Sequence, residues 1–173
     1  MTLVEMMVGL GIGSLVFLAL GSVTLYSARS FSSMVNYSDL NETSRKGLDR
    51  LSKEIRKCQA LSKRTETNLL FTLDATGTNT LNFTWDKPSK KLIQVKKGKV
   101  NSTNTLLTDC SFWTNQIFQR TPTNGGFGLT EAKTEAQTKL VQLNWTCARG
   151  RVNTTNSESV QSMKVVIRRK TST

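Results

Sequence analysis

The sequence contains no histidine, and its 12 Asp and Glu stand against 24 Lys and Arg in 173 residues. Without imidazole the chain has neither the commonest general base nor the commonest metal ligand. Its three cysteines, Cys58, Cys110 and Cys147, include no CxxC pair, so a zinc or dithiol redox centre is not expected. The glycine cluster at 124–128 is not followed by Gly-Lys-Ser/Thr, which argues against a phosphate-cradling loop. No nucleophile motif is present. These absences argue against an enzyme, including one tethered to a membrane, and imply no cofactor and no metal. Proline is scarce as well, at Pro88 and Pro122 alone, so nothing in the first 87 residues is obliged to kink a helix.

One further absence is local. From Met6 to Ala28 there is no Lys, Arg, Asp or Glu. A run of that length can cross a bilayer as a helix, for which about 20 apolar residues suffice. A single carboxylate, Glu5, stands at its start. An ionisable group in a membrane-grade helix costs several kcal/mol near the bilayer centre and calls for a partner. The run itself holds no cation, so the nearest is the α-amino group of Met1, its own or that of a neighbouring copy. A secretory signal peptide would open with a basic region and close on a small-residue cleavage site. This segment has no basic opening and continues into an amphipathic helix instead.

The residues Thr2-Leu3-Val4-Glu5 followed by an apolar helix resemble the N-terminus of type IV pilins and of the related pseudopilins of type II secretion. The resemblance is specific over residues 1 to about 28, extends to about 62 and is loose beyond. It implies that a prepilin peptidase removes a leader, that Met1 is the new and N-methylated terminus, and that the sequence is already processed. The family's usual first residue is Phe, and this chain has Met. The resemblance further implies a subunit held in the inner membrane before assembly. Inner-membrane machinery then adds it to a homo-oligomeric helical filament on the bacterial surface. There Glu5 neutralises a neighbour's Met1 amine, with Thr2 a weaker participant. Such a major pilin supports adhesion, motility or DNA uptake. The alternative is a minor pilin or J-type pseudopilin at the tip of a pilus or type II secretion system.

Within the apolar run, Gly9 and Gly13 have the small-xxx-small spacing that lets helices approach closely. With Gly11 and Gly21 they also weaken the helix, each by about 1 kcal/mol relative to Ala. Packing, local melting between 14 and 22, and an ordinary membrane-helix role all stay open for these four. After Arg29 the apolar positions Phe31, Met34, Val35, Leu48, Leu51, Ile55 and Cys58 keep helical spacing between charged residues, one stripe facing a partner. A helix of 55 to 60 residues would be about 85 Å long, longer than a compact domain of this size, so its first half must lie outside the head.

Past about residue 62 the period changes to two. Strands are expected at 68–73, 81–85, 92–96, 106–118, 140–147 and 163–169. A surface loop is expected at 120–128, and 130–139 is the one further stretch with helical character. The fold class is therefore α+β, a pilin-like lollipop in which an antiparallel sheet packs on the C-terminal half of the long helix. Its parts are a hydrophobic helix at 1–28, an amphipathic continuation at 29–62 and a β-rich head at 63–173.

An exported protein meets an oxidising compartment, so a disulfide is expected. Cys110 with Cys147 on neighbouring strands ranks first, and Cys58 with Cys110 second. The net charge is +12. Lys87, Lys90, Lys91, Lys96, Lys97 and Lys99 read as one basic patch around a hairpin, with Arg168, Arg169 and Lys170 as another. A soluble extracellular surface is the favoured explanation of these patches, with non-specific binding of DNA or acidic polysaccharide as a secondary role.

Overall fold

A computed structural model describes residues 2–150 and 157–167. The chain opens as one uninterrupted helix, α1 (Leu3–Lys57), of 55 residues, about 82 Å at 1.5 Å per residue. Between Leu3 and Asp39 no side chain is buried among the described residues. The head contact begins at Leu40 and runs through Ser44, Gly47, Leu51 and Ile55, the three- and four-residue steps of one helical face. Phe31, Met34 and Val35, expected on that stripe, stay exposed, because among the described residues burial of the helix begins only at Leu40. The helix stops at Lys57 rather than near 62. Cys58 turns to extended backbone, and the Gln59 amide donates to Thr72 O at 2.8 Å, drawing the chain into a sheet. Arg56 and Lys57 in the last turn suit the negative end of the helix dipole.

Two antiparallel sheets follow, where one was expected. The first contains β1 (Ala60–Arg64), β2 (Asn68–Thr72), β3 (Thr80–Asp86), β4 (Lys91–Lys97) and β5 (Ser102–Leu107), as a meander in that order. The second contains β6 (Cys110–Thr123), β7 (Gly126–Glu131), β8 (Leu140–Arg149) and β9 (Ser157–Val166), ordered β7-β6-β8-β9. The strand expected over 106–118 is cut in two by a turn at Asp109, whose φ is +58°, and the chain changes sheets there. The strand expected at 163–169 begins earlier and ends at Val166. The expected loop at 120–128 is instead the β6–β7 hairpin. Within the expected helix at 130–139 only a single 3-10 turn forms, at Glu135–Gln137.

The inner faces meet in one core. Leu69, Phe71, Leu81, Phe83 and Leu92 come from the first sheet; Ile117, Val141, Leu143, Trp145 and Val165 come from the second. Trp113 and Trp145 are register partners and stack at 6.1 Å. Buried Asn115 joins the sheets: its amide nitrogen donates to Thr65 O at 2.9 Å and Glu66 O at 3.1 Å, while its Oδ1 accepts from Arg64 Nε at 2.7 Å. Helix α1 lies on β9, with β5 and β8 beside it. The helix and β5 come so close that a Cβ on Gly47 would overlap the Leu107 side chain. The result is a lollipop-like α+β molecule with a bare helical stem.

Candidate functional site

The N-terminus of α1 carries its own cap. Thr2 Oγ1 accepts from the Glu5 amide at 3.4 Å, and the Thr2 amide donates to Glu5 Oε2 at 2.7 Å. This reciprocal pair is a capping box, and the Thr-x-x-Glu spacing that makes it was legible in the sequence. Glu5 thus has a partner within its own chain, and the bond holds its carboxylate at the helix end. Met1, expected to be processed and to donate an amine, lies outside the described residues.

Behind the cap the helix is long and apolar enough to cross a membrane. Large side chains stand out on every side, Leu10 at 75% and Phe17 at 79% exposure. A helix apolar all round belongs inside lipid or protein, so this surface is compatible with membrane anchoring. Its hydroxyls are turned inward: Ser14 Oγ donates to Gly11 O, Ser22 Oγ to Ala19 O and Thr24 Oγ1 to Gly21 O, at 2.7–2.8 Å. Gly9, Gly11, Gly13 and Gly21 are helical, and a Cβ on any of them would meet nothing within 4 Å among the described residues. Residues 14 to 22 lie within the unbroken helix α1 of the single chain.

Where the stem enters the head, Arg149 spans two carboxylates. Its Nη1 lies 2.8 Å from Asp39 Oδ2 on the helix, and its Nη2 lies 2.7 Å from Asp109 Oδ2 on the turn between sheets. These bonds hold the guanidinium pKa above its usual value, Asp39 first and Asp109 second. Sequence reasoning missed this bridge, since its members lie 110 and 40 residues apart in the chain.

Cys110 and Cys147 face each other across β6 and β8, as expected of neighbouring strands. The Cys110 amide donates to Lys90 O, which marks a non-hydrogen-bonded pair with Cα atoms about 4.5 Å apart, inside the range a disulfide spans. The expected bond is nonetheless not formed: all three cysteines are buried free thiols. Cys110 Sγ donates to Phe112 O at 3.3 Å, and the close pairing of the two thiols holds Cys147 below its usual value while it pushes Cys110 above it. Cys58 sits at the opposite end of the head, its Sγ 3.2 Å from Glu54 O, and burial pushes it up to about 12. That position removes the Cys58–Cys110 pairing.

The six lysines of the supposed single patch separate. Lys87, Lys90 and Lys91 cluster at the β3–β4 turn, while Lys96, Lys97 and Lys99 stand at the other end of β4, about 20 Å away. The reason is topological: the second group borders the next turn, not the same one. Arg168, Arg169 and Lys170 lie outside the described residues. No family model, curated protein or solved structure matches this chain.

Proposed function

We propose that this protein is a structural subunit of a type IV pilus-like filament, anchored in the inner membrane before assembly and carried on the bacterial surface afterwards. One observation carries the reading: residues 3–25 form an uncovered apolar helix whose only ionisable side chain, Glu5, is fixed at its start. Packed among copies of itself, such a helix buries its surface, and the buried carboxylate must be paired or neutralised. A neighbour's Met1 amine supplies the charge, and methylation leaves that charge in place. Among the described residues the capping bond takes Oε2, which leaves Oε1 to receive it. A prepilin peptidase and inner-membrane machinery are the partners this requires. The tip-subunit reading, a minor pilin or J-type pseudopilin, is favoured by one feature, the β6–β7 hairpin exposed at the end of the head away from the stem.

The test is Glu5→Ala, with filaments imaged by electron microscopy and the head checked by near-ultraviolet circular dichroism. Loss of filaments with the head spectrum unchanged is expected; normal filaments would refute the pairing. Occupancy of every helical position by this chain would establish the major-subunit role, and occupancy of ends alone the tip role. In an oxidising compartment Cys110 and Cys147 become a disulfide, the two thiols giving two protons and two electrons to a disulfide donor. Peptide mapping of exported protein without reductant should find that link, and two free thiols there would refute it.

A further inference from the structure

An open strand edge is a template on which another chain can pair, and each sheet has two edge strands. Strands β5 and β9 lie against α1, while β1 is broken by a bulge at Leu61/Lys63 and lies against the 3-10 turn. The β7 edge is left bare among the described residues, and every residue of β7 except Gly128 is exposed. This strand pairs with β6 from Phe118 to Thr123, whereas β8 pairs with β6 only as far as Phe118. Beyond Phe118 the two strands therefore form a free ribbon about 17 Å long. The Ala132 amide donates to Ile117 O at 3.0 Å, which fixes which residues of the ribbon face each other as bonded pairs. Alternation along the ladder turns the backbone of Gly126, Gly128 and Thr130 toward β6 and that of Phe127, Leu129 and Glu131 outward. On the ribbon's other edge the same alternation presents Arg120 and Pro122, and proline has no N–H to offer. One edge of the ribbon is stopped and the other is open.

We propose that the β7 edge pairs with β7 of a second copy of this chain, antiparallel about a two-fold axis at Gly128. Only outward-facing residues can bond, and this register joins Phe127 of each copy to Leu129 of the other, with Gly128 facing Gly128. The exposed Phe127 and Leu129 side chains share one face because they are two residues apart. They then cover each other as two cross-strand apolar pairs, with Pro122 and Arg120 of β6 beside them. Slipping the register by two residues would set Glu131 against Phe127 and break both pairs. Charge favours the same seam. The chain carries +12, so two copies repel, yet residues 119–130 hold a single charge. That charge is Arg120, whose guanidinium lies 3.6 Å over its own Phe127 ring. Glu131 falls opposite Gly125, so no like charges meet across the strands. A seam this short makes a weak, transient dimer. It is an isologous contact that closes on two copies, unlike stem packing, and it does not depend on the filament reading.

The experiment uses the full chain in detergent micelles with a cysteine placed on the axis. The two copies of residue 128 form a non-hydrogen-bonded pair with Cα atoms about 4.5 Å apart, a spacing that a disulfide spans. A Cβ at Gly128 would lie 3.4 Å from Thr123 Cγ2, an ordinary contact, and one at Gly126 meets nothing within 4 Å. After oxidation with copper phenanthroline and electrophoresis without reductant, Gly128→Cys should give a covalent dimer. Gly126→Cys, two residues off the axis, and the wild type, whose thiols are buried, should give none. Adding Leu129→Pro, which removes an outward N–H, or Leu129→Lys, which charges an exposed site, should abolish the link. Raising salt from about 10 to about 100 mM shortens the Debye length from about 30 to about 10 Å and should increase the dimer yield. The proposal is overturned if Gly128→Cys stays monomeric or if either Leu129 variant still links. Equal linking by Gly126→Cys, as association through the stems alone would give, or a yield that falls with salt, would overturn it as well.

Discussion

Gly47 sits where α1 and β5 touch, and Gly47→Ala pits two effects against each other. Alanine in place of glycine favours a helix by about 1 kcal/mol. The new Cβ, however, would overlap Leu107 Cδ2 and lie 3.2 Å from its Cγ and 3.5 Å from Leu106 O. Leu107 is fully buried and paired with Leu92, so it cannot swing away. Overpacking of this kind costs about 1–3 kcal/mol, so the net expectation is a loss of about 1 kcal/mol. For a chain this size that lowers Tm by about 2–4 °C. Leu107→Ala alone should cost about 2–5 kcal/mol. In the double variant the alanine methyl occupies vacated space, so the two losses should fall short of additivity by about 1 kcal/mol. Thermal unfolding of all four proteins, followed by near-ultraviolet circular dichroism, measures this. A higher Tm for Gly47→Ala, or strict additivity, would refute the close approach of helix and sheet.

Arg149→Gln unties Asp39 from Asp109; with about a third of the arginine exposed, screening limits the loss to about 1 kcal/mol. Amide exchange should quicken around Asp39 to Thr43 and stay unchanged near Ile55, whereas a uniform change would contradict a local bridge. Burial raises the Cys58 thiol from 9.0 to about 12, above its unfolded value. Its contribution to stability is therefore whole below pH 9 and lost as pH rises through 12, so reduced wild type should lose more Tm over that range than Cys58→Ala. Equal losses would show that the thiol is not shielded. Thr2→Ser should keep the capping bonds, whereas Thr2→Ala should cost the first turn about 1 kcal/mol, seen as faster amide exchange at Glu5; identical exchange would rule the box out.

Some of this architecture was open to reading and some was not, for physical reasons. Val141, Leu143, Trp145 and Cys147 alternate with polar residues because β8 has one face in the core, and period two follows directly. The start of β9 hides from that logic, since Ser159 and Gln161 point inward toward α1, where Gln161 Nε2 meets Asn41 Oδ1 at 3.3 Å. A polar helix face asks for polar partners, so the apolar signal vanishes. In β1 only Leu61 is buried, too little pattern to mark a strand. The β7 strand, rich in glycine, buries nothing and is held by pairing to β6 alone. The division into two sheets rests on Asp109, a non-glycine residue in the left-handed region that its composition did not announce. At the N-terminus the apolar run and Glu5 were both plain, while the capping role of Thr2 needed the spacing to be read locally rather than as part of a span.

The inward-turned hydroxyls of Ser14, Ser22 and Thr24 are the only polar side chains between Met6 and Leu25. Each is already satisfied by a carbonyl three residues back. Sideways, the stem therefore offers its surroundings nothing to bind except shape. Moving it from lipid into a bundle of like helices breaks no hydrogen bond along its length and makes none. The exchange is decided by how well side chains interlock and by what happens at Glu5. In the bundle proposed above, Glu5 is therefore the one charged side chain of this stretch whose surroundings would change in kind.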